Sequence, residues 1–327
     1  MNTLNIALFG FGTVGANVAK MIIQNQEKLS KELTTSFDKI NLKYIAVRDK
    51  SSSMQKLKSN TQELSKLFTE NHDDIWNDKE INCVIELIGG TGIAKDIIYK
   101  AVETNKNVIT ANKAVLADCG NELFALAKQH NVTIGFEASV AGGIPIIQTL
   151  KKHMSIGKIE SIEGILNGTC NYMLSNLENN PALSYADALR DAQEKGFAES
   201  DPSADVDGWD TAAKIAILSG LCFTTDIPKM TDFSVTGISK ITSAHISNAK
   251  AQKKKIRLIA SAKKIKNRIE ISVSPQEITE SSPFYSVNGP DNMVIVQHEY
   301  LGELVLKGAG AGGEATAISI ISDIINL

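Results

Sequence analysis

The feature that most constrains this chain is Gly10-Phe11-Gly12-Thr13-Val14-Gly15. It is a G-x-G-x-x-G placed directly after the apolar run Leu4–Phe9 and directly before a helical pattern. A short apolar run ending at glycine reads as a buried parallel strand. The first glycine permits a tight turn, the second lets the backbone approach a pyrophosphate, and the third lets helix and strand pack closely. The helix N-terminus then faces the negative charge. The bare motif is weak, and its alternative is a glycine-rich turn without a ligand. Its place at the head of an alternating strand–helix pattern makes it the expected phosphate-binding corner of a nicotinamide dinucleotide site.

That alternation runs on. Leu42–Val47, Cys83–Ile88, Asn107–Thr110 and Val132–Phe136 read as strands, with helices over Val14–Leu33, Ala94–Thr104 and Asn121–His130. Such a pattern predicts a parallel sheet with right-handed crossovers. After about residue 145 the alternation is lost. Helices are expected at Ile144–Met154, Tyr172–Glu178, Ser184–Lys195 and Thr211–Ser219. Strands are expected at Ile159–Leu166, Arg268–Val273, Met293–His298 and Glu303–Lys307. The expected fold class is therefore α/β, an N-terminal Rossmann parallel sheet with a second α+β substrate and dimerisation domain. The expected boundaries are residues 1–136 and 137–311, with a C-terminal helix in 312–327 packing back on the first domain.

Composition narrows the function. A chain of 327 residues suits two domains and needs no disulfide or metal staple. Its formal charge of −3 argues against a nucleic-acid partner. The basic run Lys253-Lys254-Lys255 reads either as a solvated edge or as a phosphate contact. The four cysteines have no C-x-x-C spacing, so buried free thiols in a reducing cytoplasm are expected. The chain enters its first strand with no basic and apolar leader, and no signal peptide is expected. No apolar stretch approaches the roughly 18 residues of a membrane span. The five histidines lack metal-ligand spacing.

Two stretches carry chemistry beyond the glycine loop. Arg48 comes where NAD enzymes usually place an acidic ribose ligand, and an arginine there can hold a 2′-phosphate. Asp49 follows directly, so both NADP and NAD stay open, as does a plain surface arginine. The other stretch runs from Gly196 through Glu199, Asp201, Asp205, Asp207 and Asp210 to Lys214. Asp210 and Lys214 are four apart and share a helix face. They form either a surface ion pair or part of a polar pocket in which carboxylates capture an ammonium group and a lysine moves a proton.

Along almost its whole length the chain resembles homoserine dehydrogenases. The matching segments are Gly10–Gly15, Thr110-Ala111-Asn112-Lys113, Glu137–Pro145, Gly164–Tyr172, the acidic stretch, and Gly308–Gly313. The asparagine-glycine-threonine run at Asn167–Thr169 and the acidic stretch are the most specific. The resemblance implies NAD(P)-dependent interconversion of L-homoserine and L-aspartate-4-semialdehyde in threonine and methionine synthesis. It implies that Lys214 is the acid/base lysine and that Asp210, Glu199 and Asp205 serve the substrate. Lys113 would lie between cofactor and substrate, and Gly196 and Gly310 would border the cofactor. It also implies a monovalent cation, sodium, held by Glu137 and by the carbonyls of Val140, Gly142 and Ile144. Such oxygen donors suit a hard cation, and a buried glutamate paired with a lysine is the alternative for Glu137. NADP is the favoured cofactor because of Arg48, and a cytoplasmic homodimer built partly on Ile159–Ile165 is expected. The chain stops about a helix after Gly308. A regulatory extension of the ACT type, a fused aspartate kinase and strong threonine feedback are therefore expected to be missing.

A lysine of ordinary pKa, about 10.4, is a poor base at neutral pH, so this chemistry needs further positive charge beside it. The alternatives are another amino-acid semialdehyde reductase, an aldehyde dehydrogenase using Cys170, and a dinucleotide sensor without turnover. An interaction scaffold lacks any repeat or coiled-coil signal.

Overall fold

The computed structural model describes residues 2–57, 59–180, 182–224, 226–266 and 268–327. The chain divides into two compact units, Met1–Gly143 with Gly312–Leu327, and Ile144–Ala311.

The first unit contains β1 (Thr3–Phe9), α1 (Thr13–Lys31), β2 (Lys39–Ala46), α2 (Lys50–Gln55), β3 (Phe68–Thr69), α3 (Asp73–Trp76), β4 (Ile81–Glu86), α4 (Ile93–Glu103), β5 (Asn107–Thr110), α5 (Lys113–His130) and β6 (Ile134–Gly135). Its six strands are all parallel, in the order β3-β2-β1-β4-β5-β6. This is the Rossmann arrangement, whose strand order reverses between β1 and β4. Leu4, Ile6 and Leu8 pack on one face with Val18, Ala19 and Ile22 of α1. The last helix of the chain, which closes this unit, brings Ile320 and Ile324 to the same core.

The second unit contains α6 (Ile146–Met154), β7 (Ile159–Ile165), α7 (Gly168–Asn179), α8 (Tyr185–Glu194), α9 (Ser203–Val206), α10 (Trp209–Phe223), β8 (Ser234–Val235), α11 (Ser243–Ala251), β9 (Lys254–Ile265), β10 (Arg268–Thr279), β11 (Asp291–His298) and β12 (Gly302–Ala309). The final helix, α12, is Gly313–Ile325. The second sheet is mixed, ordered β12-β11-β7-β9-β10-β8, with only the β10–β8 pair parallel. An α/β unit followed by an α+β unit is the fold class expected from the strand pattern.

Element ends depart from the periodicity where a cap decides them. α5 begins at Lys113, two turns before the expected Asn121, because the Asn112 side chain accepts from Val115 N and caps it. α7 begins at Gly168 instead of Tyr172, because Asn167 caps it through Cys170 N. α10 outruns the expected Thr211–Ser219 at both ends. β6 is only two residues of the expected Val132–Phe136. β10 passes the expected end at Val273 and runs through Pro275 to Thr279. Its pairing with β8 stops at Val273, so beyond it one edge of β10 needs no N–H from a proline.

Candidate active site

The phosphate corner sits at the end of β1. Gly10 has φ +101°, and a Cβ there would lie 2.7 Å from the Leu87 carbonyl oxygen. A Cβ at Gly15 would lie 2.1 Å from the Gly10 carbonyl oxygen, whereas one at Gly12 would meet nothing within 4 Å. The outer glycines are thus fixed by packing, and the middle one faces open space. Phe11 is buried edge-on against Phe68 at 4.9 Å between ring centres. Thr13 and Val14 open α1, which starts without a side-chain cap and without an acidic residue in its first turn. Such a terminus favours an anion.

A second loop is tied down by Glu86, a fully buried carboxylate at the end of β4. Its Oε1 accepts from Ile88 N at 2.7 Å and Gly89 N at 3.0 Å, and its Oε2 accepts from the Thr110 hydroxyl at 2.7 Å. Thr110 Oγ1 in turn accepts from Asn112 N, and Asn112 Nδ2 donates to the Gly90 carbonyl. One carboxylate therefore orders both the loop after β4 and the residues that lead into Lys113, which is half-buried at the start of α5. Periodicity does not single out Glu86. Its signal was a lone acid at the end of an otherwise apolar strand.

After β2, Arg48 is exposed, while the carboxylate of Asp49 is committed as the N-cap of α2, accepting from Ser52 N at 2.9 Å. In residues 137–143, Glu137 and Val140 are fully buried, and Ala141 and Gly142 both have φ +56°. The Gly142 carbonyl accepts from Ser319 Oγ at 2.6 Å, and Glu137 N donates to Asp323. Ile144, the first residue of the second unit, is buried and its carbonyl accepts from Ile146 N.

The second unit assembles a polar network around Lys214. Lys214 lies on α10, the most apolar of the unit's helices, and is only 9% exposed. Its Nζ donates to Asp210 Oδ2 at 2.7 Å and to the Leu166 carbonyl at 2.6 Å. The i,i+4 spacing is therefore a largely buried pair and not a surface one. Asn167, which follows Leu166 at the β7–α7 corner, donates from Nδ2 to both Asp210 Oδ2 and Asp205 Oδ1. Asp205 Oδ2 also receives the Thr169 hydroxyl at 3.2 Å. Burial, then the charge of Asp210, raises the Asp205 pKa against the opposing pull of Asn167, Lys214 and Thr169.

The raised pKa has a stability consequence. A raised carboxylate stabilises the fold only while protonated, fully below the unfolded value of about 3.9 and not above the folded one. Asp205→Asn is therefore expected to match the wild-type melting temperature in acid. It should exceed it increasingly as the pH rises above about 4 toward the raised folded-state pKa, and by a constant amount beyond that. Thermal melts across that range check this, and a constant difference at every pH would contradict it.

Glu199 is exposed, and the contact at its backbone is its carbonyl accepting from Gln193 Nε2 at 3.0 Å. The side-chain network around Lys214 does not include it. Gly196 has φ +76° with open space where a Cβ would be. Gly310 is buried against the Asn292 amide, within 2.0–2.2 Å of where its Cβ would be. Cys170 is fully buried, its thiol donates to the Asp205 carbonyl, and burial pushes its pKa well up. A thiol so held is no nucleophile, which removes the reading as a thiolate aldehyde dehydrogenase. In the basic run, Lys254 pairs with Glu277 at 2.7 Å and Lys255 with Glu178 at 3.3 Å, and Lys255 also sits over the Tyr285 ring. Lys254 belongs to a partly exposed ion pair, which fits the solvated charged edge, whereas Lys255 is more deeply set with its charge matched by Glu178.

A Rossmann unit with this phosphate corner, in a chain whose other unit buries a lysine against a carboxylate, defines a nicotinamide-dependent oxidoreductase. Comparison with known proteins gives the family. Residues 10–137 match the homoserine dehydrogenase NAD-binding domain, and residues 145–325 match the homoserine dehydrogenase family. A homoserine dehydrogenase from Helicobacter pylori is 41% identical over 324 residues, covering 99% of this chain and 73% of that protein. The crystal structure of one from Thiobacillus denitrificans superposes with a TM-score of 0.90 at 35% identity, covering 99% of this chain and 72% of the other. A hyperthermophilic archaeal homoserine dehydrogenase in complex with NADPH gives 0.80 at 27% identity, covering 99% and 97%. The chain belongs to the homoserine dehydrogenase family, NAD(P)-dependent oxidoreductases of amino-acid biosynthesis that act on a CH–OH group.

Proposed function

We propose that this chain interconverts L-homoserine and L-aspartate-4-semialdehyde with Lys214 as the acid/base group. The carrying observation is the lysine itself, held by Asp210 and the Leu166 carbonyl on a helix that is otherwise apolar. When bound, the nicotinamide supplies the hydride acceptor or donor. In oxidation Lys214, as the neutral amine, takes the hydroxyl proton and becomes the ammonium as the carbinol C–H bond is broken. In reduction it gives that proton back to the nascent alkoxide oxygen. Asp210 and Asp205 offer the negative charge that suits the substrate ammonium group, with Glu199 as a further carboxylate on the loop that follows Gly196. Lys113 completes the reading as the second lysine, at the start of a helix whose entry Glu86 and Asn112 fix. Gly10–Gly15, Gly196 and Gly310 serve the dinucleotide.

NADP is the preferred form in this reading. Arg48 is exposed, and the carboxylate of the adjacent Asp49 is occupied in capping α2. The archaeal relative of known structure was solved in complex with NADPH. Arg48→Ala is expected to raise KM for NADP about tenfold, about 1.4 kcal/mol, and to leave KM for NAD within about twofold. Initial rates with L-homoserine and each cofactor check this, and equal losses with both would contradict it.

In this reading sodium is assigned to the buried carboxylate of Glu137 and the carbonyls of Val140, Gly142 and Ile144, hard oxygen donors of the kind it takes. Running the same rates with and without sodium or potassium tests that assignment. A second copy of the chain is the expected partner. The sheet of the second unit carries a groove of about 710 Å³ lined by Glu163, Ser261, Lys263 and Ile271 of β7, β9 and β10. The four free cysteines suit the reducing cytoplasm. Among the described residues no helix is long and apolar enough to cross a membrane.

A further inference from the structure

We propose that Asn167 is a positioning residue for the reaction, setting the geometry and charge of the Asp205–Asp210 carboxylate pair, of which Asp210 holds Lys214. This rests on the reading of Lys214 and Asp210 as reaction machinery. Asn167 is 4% exposed and stands at the corner where β7 passes into α7. Its side chain makes three hydrogen bonds with three separate purposes. Oδ1 accepts from Cys170 N at 2.7 Å and caps α7. Nδ2 donates to Asp205 Oδ1 at 2.6 Å and to Asp210 Oδ2 at 2.8 Å. The amide orientation follows from its partners, because the reverse would set an acceptor against two carboxylates.

The arrangement explains why an amide stands here. Two carboxylates converge on one NH2 group that bears no charge and cannot be titrated. A lysine in its place would compete with Lys214 for Asp210. An aspartate would keep the cap and add a third negative charge. Serine would keep the cap and lose the bridge. The carbonyl of the preceding residue, Leu166, accepts from Lys214 Nζ. One backbone corner therefore grips both members of the Lys214–Asp210 pair, and the cap on α7 makes that corner rigid. Asn167 touches no reacting atom in this account. It acts through Asp210 and Asp205.

The ionisable surroundings are few. Lys214 reaches the pair from α10, and Cys170 from α7. Asp207, in the turn between α9 and α10, acts on Cys170 and on Tyr185 of α8. The two N–H bonds of Asn167 favour the charged carboxylates. The bond from Asn167 holds the Asp205 pKa down, so removing it raises that pKa and the charged pair is lost at a higher pH. The acid limb of the pH profile must then move up.

The test compares wild type with Asn167→Ser and Asn167→Asp, with Lys214→Ala as reference, in steady-state kinetics across pH. For Asn167→Ser the expected result is a loss in kcat/KM for L-homoserine of about tenfold or more. KM for the dinucleotide should hold within about twofold, and the acid limb should move to higher pH by at least about half a unit. Asn167→Asp, which keeps the cap and shape, should lose at least as much. Unchanged kcat/KM and an unmoved acid limb in either folded variant would overturn the proposal. Loss of melting temperature alone, with normal kinetics, would assign Asn167 a purely structural cap. Wild-type turnover by Lys214→Ala would instead overturn the underlying assignment of the lysine. An inactive Lys214→Ala beside a normal Asn167→Ser would overturn only the role of Asn167.

Discussion

Lys214→Ala is expected to lower kcat with L-homoserine by about 10²–10⁴-fold, the usual contribution of a positioned acid/base group. Cofactor affinity should change less than about twofold, because the phosphate corner belongs to the other unit of the chain. The substitution also strands Asp210, a carboxylate whose side chain is only 9% exposed, with the Asn167 amide as a remaining neutral donor. Breaking a buried ion pair by deleting one partner costs about 3–5 kcal/mol. Loss of stability and loss of turnover must therefore be read separately. Denaturant unfolding gives the first, and kcat on protein shown to be folded by circular dichroism gives the second. Lys214→Met keeps the apolar stem and should show the same kcat with a smaller stability loss. Turnover near the wild-type rate in either variant would remove Lys214 from proton transfer.

Gly15→Ala should be nearly as damaging by a different route. The new Cβ would lie 2.1 Å from the Gly10 carbonyl oxygen, and neither atom is the end of a flexible side chain. The β1–α1 corner must shift, at a cost of about 1–3 kcal/mol for overpacking a tight site. Because Gly10 and Gly12 belong to the same loop, the shift also moves the backbone meant for the pyrophosphate. Dinucleotide affinity is expected to fall about tenfold or more, about 1.4 kcal/mol at least. Gly12→Ala, by contrast, meets no protein atom within 4 Å. It should leave the melting temperature almost unchanged and weaken the dinucleotide alone. Fluorescence titration with NADPH, paired with thermal melts, separates the two. Equal melting temperatures for wild type and Gly15→Ala would contradict the packing argument.

Some of this was open to sequence reasoning because the constraint is local. Each glycine of the loop acts within a few residues of itself, or on the strand beside it. Asp210 and Lys214 meet because a helix brings i and i+4 together. The strand–helix alternation likewise carried the first sheet, since a buried parallel strand is an unbroken apolar run. Other features depend on partners far along the chain. Asn167 is defined by Asp205 and Asp210, 38 and 43 residues away. Glu86 is defined by Thr110 and by the loop that follows it. No periodicity marks such residues, because their burial is offset by hydrogen bonds that only the fold creates. Asp49 shows the same limit. As a sequence position it competes with Arg48 for the ribose, and only the structure commits its carboxylate to capping.

The most direct measurement is the initial rate of nicotinamide reduction by the purified chain with L-homoserine as the sole reductant, using NADP and NAD in parallel. The account predicts steady reduction with NADP, slower reduction with NAD at equal concentration, and stoichiometric aspartate semialdehyde. No reduction with either dinucleotide would contradict it.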